Sequence, residues 1–147
     1  MNLDNKFNRV LSEIEKKAGR SLITAGTLIV SDIQQRLNAH ESQGRTYSRG
    51  KGRAHTASVP NAFPNSDTGN LARSISFNFD TGNMSLSFGS FGTKLRNSDK
   101  NYAYYLEYGS RRGNKAIAPR PFLKPTIEKH KSILKRLLVD SIKGTLS

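Results

Sequence analysis

YAYYLEYGSRRGNKAIAPRPFLKP, residues 102–125, decides how the rest of the chain is read. It holds four of the five tyrosines and three of the five prolines. Proline presets its own φ and lacks an N–H, so it suits the first turn of a helix. Pro119, Arg120, Pro121 and Pro125 therefore read as an ordered turn feeding a helix opened by Pro121 or Pro125. Residues 102–108 read as a short helix in preference to a strand. Tyr102, Leu106 and Gly109 then share one face, and Tyr104 and Tyr108 another. Gly109 stands where a left-handed helix-ending residue is wanted, and Gly113 marks a second turn. Glu107 is the sole acid between Asp99 and Glu128. Arg111, Arg112 and Arg120 lie near it, so an ion pair is expected, worth about 0–1 kcal/mol if exposed. Tyrosine buries area and keeps a polar tip, so this segment suits either a core or a subunit interface.

Upstream, Leu3, Phe7, Val10, Ile14, Ala18, Leu22, Ala25, Ile29, Ile33 and Leu37 recur every three or four residues. That spacing predicts one amphipathic helix from Leu3 to about Leu37, capped by Asn2 or Asp4. Gly19 and Gly26 each weaken its interior by about 1 kcal/mol, and so mark a bend or a place where another backbone comes close. A helix this long either serves one core or outgrows a small domain and packs on a neighbour.

From His40 to Ser66 apolar residues are nearly absent before Val59. Arg45, Arg49, Lys51 and Arg53 carry charge with little to bury, so 41–66 is predicted to be a basic flexible loop or arm. These four side chains are candidate contacts for DNA phosphates, as are Arg111 and Arg112. Gly50-Lys51-Gly52 lacks the spacing of a phosphate-binding loop. Ser66 or Asp67 is expected to cap a brief helical turn through Leu71. Ile75, Phe77 and Phe79 then alternate with polar residues, as do Met84, Leu86 and Phe88. Asp80 to Asn83 supplies turn chemistry between them, so an antiparallel hairpin over about 74–90 is predicted. Gly89 and Gly92 end or bulge its second strand, and Lys94 to Asn101 reads as a polar loop.

After the proline segment, Phe122, Leu123, Ile127, Ile133, Leu134, Leu137, Leu138 and Ile142 make a second amphipathic helix, with Gly144 as its cap. Its polar side carries Lys124, Lys129, Lys131, Lys135 and Arg136. The fold class is α+β: long N- and C-terminal helices packed on a small antiparallel sheet, in a single domain over 1–147.

The net charge of +13 points to a polyanionic or acidic partner. With no cysteine there is neither a disulfide framework nor a cysteine zinc site. No apolar run approaches the about 18 residues of a membrane span, and the first residues lack a secretory pattern. His40, His55 and His130 are scattered, and no catalytic motif occurs beyond a bare S-x-x-K at Ser132–Lys135, which lacks its partner motifs. No enzyme activity, cofactor or metal is expected.

Two motifs resemble a known family. Thr68, Gly69, Leu71, Ser74 and Ile75 fit T-G-x-L-x-x-S-I. Tyr102, Ala103, Leu106, Glu107 and Gly109 fit Y-A-x-x-L-E-x-G, followed by a basic loop and by Pro119, Arg120, Pro121 and Phe122 of A-P-R-P-F-L-x-P. In order and spacing the chain resembles the neck or tail-completion proteins of long-tailed double-stranded DNA bacteriophages, also described as minor tail or head–tail joining components. The resemblance implies a structural virion protein, assembled in the host cytoplasm. It implies a ring of this chain, a hexamer, docked against head–tail connector, tail terminator or tail-tube proteins and threaded by double-stranded DNA. The motif residues would then form subunit contacts, with Phe122 as an anchor. A second reading, from the charge alone, is a free-standing basic DNA- or RNA-binding module.

Overall fold

A computed structural model of the chain describes residues 3–91, 102–112 and 114–146. The expectations for Asn2, Gly92, Gly113 and the Lys94–Asn101 loop lie outside the described residues. Helix α1 runs Leu3–Ala39, two residues past the predicted end. Strands β1 (Thr46–Ser48) and β2 (Ala54–Thr56) pair antiparallel, and a short α2 (Asn70–Ser74) follows. Strands β3 (Ile75–Asp80) and β4 (Ser85–Ser90) form the predicted hairpin, with Phe77 opposite Phe88 and Phe79 opposite Leu86. Helix α3 is Tyr102–Tyr108, β5 (Ser110–Arg112) pairs with β6 (Lys115–Ile117), and α4 closes the chain over Leu123–Leu146. The architecture is α+β, two long helices packed against small antiparallel sheets. Among the described residues those sheets are three separate ladders, of which periodicity revealed one.

Helix α1 is shared by both sides of the molecule. Leu22, Ala25, Ile29, Ile33 and Leu37 are buried along it. Ile29, Ile33 and Leu37 join Phe63, Leu71, Ala72, Ile75, Ala103, Leu106 and Phe122 in one core. The glycines explain how the hairpin reaches α1. A Cβ at Gly26 would lie 2.8 Å from ring carbons of Phe77, and one at Gly19 would lie 3.3 Å from Cζ of Phe79. The two glycines sit two helical turns apart on one face, and the two rings share one face of β3. The close neighbours at these glycines are therefore aromatic rings and not the expected backbone.

On its other side α1 meets α4 in antiparallel register. Lys129 Nζ and His130 Nε2 lie 2.9 and 2.8 Å from Asp32 Oδ2, the Ser21 and Ser141 hydroxyls bond each other, and Lys17 Nζ donates to the Gly144 carbonyl at 3.0 Å. Gly144 lies inside α4 and does not cap it. Burial alone would raise the Asp32 carboxyl, but the hydrogen bonds from His130 and Lys129, with the charges behind them, hold it below the ordinary aspartate range. Because α4 ends at Leu146 beside Ile14, the first three turns of α1 run past it. Phe7 is 67% exposed there and Leu11 44%.

The expected flexible arm is corrected over much of 41–66. β1 and β2 close a ladder rooted by Gly44 N–H on the Ala57 carbonyl at 2.7 Å. Beyond it, Ser58, Phe63, Pro64 and Ser66 are buried. Phe63 meets Phe122 edge-on at 6.1 Å, with the Arg36 guanidinium 4.0 Å above its ring. Ser66 N–H donates to the Leu37 carbonyl at 2.8 Å, which ties the segment to the end of α1. One buried aromatic and a few backbone bonds thus offset the ordering entropy that polar composition made look prohibitive. The tip still projects: nothing lies near a Cβ built at Gly50 or Gly52, both left-handed.

Gly26→Val is expected to destabilise the fold by about 1–3 kcal/mol, because a branched side chain must displace the Phe77 ring. Gly19→Ala should be neutral or mildly stabilising, and thermal unfolding of both variants checks the contrast. The lowered Asp32 carboxyl contributes stability that is complete above its unfolded value near 3.8 and is lost as pH falls through the folded value. Asp32→Asn should therefore be less stable than wild type at pH 6, and the gap should close below pH about 4 in a urea series.

Candidate functional site

The organising contact of the tyrosine and proline segment is Glu107. The expected ion pair to a neighbouring arginine gives way to a different arrangement. Glu107 Oε2 accepts the backbone N–H of Phe122 at 2.8 Å and of Leu123 at 2.9 Å, and Oε1 accepts that of Lys124 at 3.0 Å. These are the N–H groups that the start of α4 leaves without a helical partner. The next residue is Pro125, which has none to satisfy. One carboxylate from α3 thus caps all of α4's first turn, and its charge meets the positive end of the helix dipole. Glu107 is 7% exposed, so its charge is compensated by these donors inside the protein.

Around this cap the segment divides into an inner and an outer face. Ala103, Leu106 and Phe122 are 2, 5 and 0% exposed, so they hold the fold together. Phe122 is corrected from an anchor on a neighbouring subunit to a core residue packed on Phe63. Gly109 is structural too. Its φ is +74°, and a Cβ there would lie 2.8 Å from the Ile117 carbonyl oxygen, so any side chain would strain the turn into β5. The backbone N–H of Arg120 bonds the Leu106 carbonyl, while its guanidinium donates to the Ser58 and Ala118 carbonyls at 3.0 and 3.1 Å. Pro119 is exposed and Pro121 half-buried.

Tyr102, Tyr104 and Tyr108 form the outer face, 43, 41 and 68% exposed. Tyr104 packs at a tilt against Tyr108, 4.9 Å between ring centres, and meets Tyr105 edge-on at 5.9 Å. The Tyr102 hydroxyl is pushed above the ordinary tyrosine range by burial, with Arg120 and Arg49 pulling the other way.

The T-G segment lies against the first basic hairpin. Asp67, expected as a helix cap, instead pairs with Arg49 at 2.6 Å and faces His55 at 3.6 Å. Thr68 is exposed, and Gly69 is left-handed at φ +74° and precedes α2. The Ser66 hydroxyl accepts the Gly69 N–H at 2.9 Å, so the helical turn starts later than predicted. Leu71 and Ser74 are buried, with Ser74 Oγ bonded to Ser90 Oγ at 2.6 Å. Of the candidate phosphate contacts, Arg49 is therefore already matched by Asp67, and Arg45 lies 5.3 Å over the Tyr47 ring. Lys51, Arg53 and Arg111 are exposed, while the Arg112 side chain lies outside what is described.

The β1–β2 and β5–β6 hairpins spring from adjacent roots. Asn61 N–H donates to the Pro119 carbonyl at 2.9 Å, beside the Arg120–Ser58 bond. Two basic hairpins and the tyrosine face are thereby brought to one region, although they are far apart in sequence. Among the described residues no cluster of acids and histidines could hold a metal ion, and no helix is long and apolar enough to cross a membrane.

A family model described as "Bacteriophage HK97-gp10, putative tail-component" matches residues 2–109. The match takes in the T-G segment and α3 and stops before Pro119. No curated protein and no solved structure matches.

Glu107→Gln replaces one acceptor by a donor facing a backbone N–H and is expected to cost about 2–4 kcal/mol. Tyr108→Ser, on the outer face, should cost less than about 0.5 kcal/mol. Chemical denaturation of the two variants measures the difference.

Proposed function

The chain belongs to the HK97-gp10-like family of bacteriophage tail components, and from that premise we propose that it joins heads to tails or completes the tail as a ring around the DNA channel. The observation that carries this reading is the division of α3. Ala103, Leu106 and Glu107 fix the helix to the core, so Tyr102, Tyr104 and Tyr108 are presented outward without freedom to reorient. A pre-ordered aromatic surface loses little entropy on association and suits repeated contact between protein subunits. Copies of this chain, in a hexamer, would meet there, with connector, tail terminator or tail-tube proteins above and below.

The basic hairpins fit the same reading. Lys51, Arg53 and Arg111 offer exposed positive charge, and Arg45 stands beside Tyr47. Phosphate contact holds DNA without reading bases, which suits a duplex that must pass through. The role is binding and carries no catalytic step. The alternative of a free nucleic-acid-binding module draws on the same hairpins and predicts tight, steeply salt-dependent binding by the isolated chain.

Phage lacking this protein should accumulate DNA-filled heads and unattached tails in electron micrographs. A Tyr104→Ser/Tyr108→Ser variant should fold normally yet reproduce that defect. Joined particles in its absence would exclude the role, and joined particles from the double variant would remove the tyrosine face from it.

A further inference from the structure

The first three turns of α1 carry an apolar seam that no other described residue but Leu146 lines. Lys6, Phe7, Val10, Leu11, Ile14 and Leu146 line a shallow groove along it. Phe7 and Leu146 are 67 and 68% exposed, more than any core helix would leave. Phe7, Val10 and Ile14 follow the alternating three- and four-residue spacing of a two-stranded coiled coil, with Phe7 and Ile14 at one seam position and Val10 at the other. Lys6 and Glu13 then occupy the same flanking position one heptad apart, and Leu11 occupies the opposite flank.

We propose that two copies of the chain pair antiparallel through residues 3–14 of α1, with Phe7 of each packed on Val10 of the other. Charge decides both occupant and direction. Antiparallel pairing in this register sets Lys6 of each copy against Glu13 of the other, twice by symmetry. Parallel pairing would set Lys6 against Leu11 and Glu13 against Ala18, with no ion pair. The present partner of Glu13 is Arg9, 3.8 Å away with both side chains exposed, which is too weak to hold it. The arm is also where two such chains can approach. Within residues 3–14 Asp4 and Glu13 balance Lys6 and Arg9, so the arm is neutral on a molecule with net charge +13. The paired arms bring the start of each copy over Leu146 of the other.

This inference does not rest on the ring. A two-fold pair closes on itself, whereas a ring needs head-to-tail contacts. The two contacts are therefore distinct and are tested separately.

Sedimentation equilibrium of the full chain tests the proposal. The seam is only about 18 Å long, so a dimer is expected at about 100 µM that dissociates on dilution. Phe7→Asp should leave a folded monomer, checked by circular dichroism. Lys6→Glu should weaken the dimer about tenfold, and Lys6→Glu/Glu13→Lys should restore it to within about threefold. A monomeric wild type, a dimer indifferent to Phe7→Asp, or failure of the swapped pair to recover would each overturn it. Ring formation in electron micrographs is read separately, so loss of the ring alone leaves this result standing.

Discussion

The geometry of the C-terminal half depends on one buried carboxylate. Glu107 is brought out of water, which is costly unless every lone pair finds a donor. Three backbone N–H groups at the start of α4 meet that demand, and Pro125 removes the fourth. The arrangement is reciprocal, since the first turn of α4 has no capping side chain of its own nearby in sequence. It also fixes the angle between α3 and α4. The exposed tyrosines, the Gly109 turn and the β5–β6 hairpin all take their positions from it.

A second constraint is the length of α1. Its middle is engaged on two sides, by aromatic rings over Gly19 and Gly26 and by α4 along the Asp32 and Ser21 contacts. The α4 helix is shorter, so the start of α1 has no counterpart. A solitary helical end of about three turns gains little stability by itself. Its apolar stripe continues the buried one and stays exposed at Phe7 and Leu11.

Much of this fold was legible in the sequence because periodic signals extend over many residues. The α1 stripe, the Phe77 and Phe88 hairpin and the glycine after α3 each needed only spacing and turn chemistry. What spacing missed were single contacts. The partner of Glu107 lies fifteen residues away and consists of backbone N–H groups, which carry no residue identity. Phe63 is the lone aromatic residue between Tyr47 and Phe77, so the packed part of 41–66 looked like an arm. Asp67 was visible as a candidate cap, but its pairing to Arg49 depends on how the hairpin folds back. Phe122 was placed at an interface because aromatic residues serve cores and interfaces alike. Only its 0% exposure separates the two.

The family match ends at residue 109, two residues after Glu107, yet the groups that Glu107 satisfies lie at Phe122–Lys124. The boundary of likeness therefore cuts through a structural unit. A chain ending there would strand a charged carboxylate in a site built to desolvate it. It would also uncover the side of α1 that α4 occupies. Leu106 would lose the Arg120 N–H, and Phe63 would lose the Phe122 ring. The α3 helix and the proline turn must consequently vary together wherever this arrangement is kept. A different acid position in α3 would call for a different start to α4.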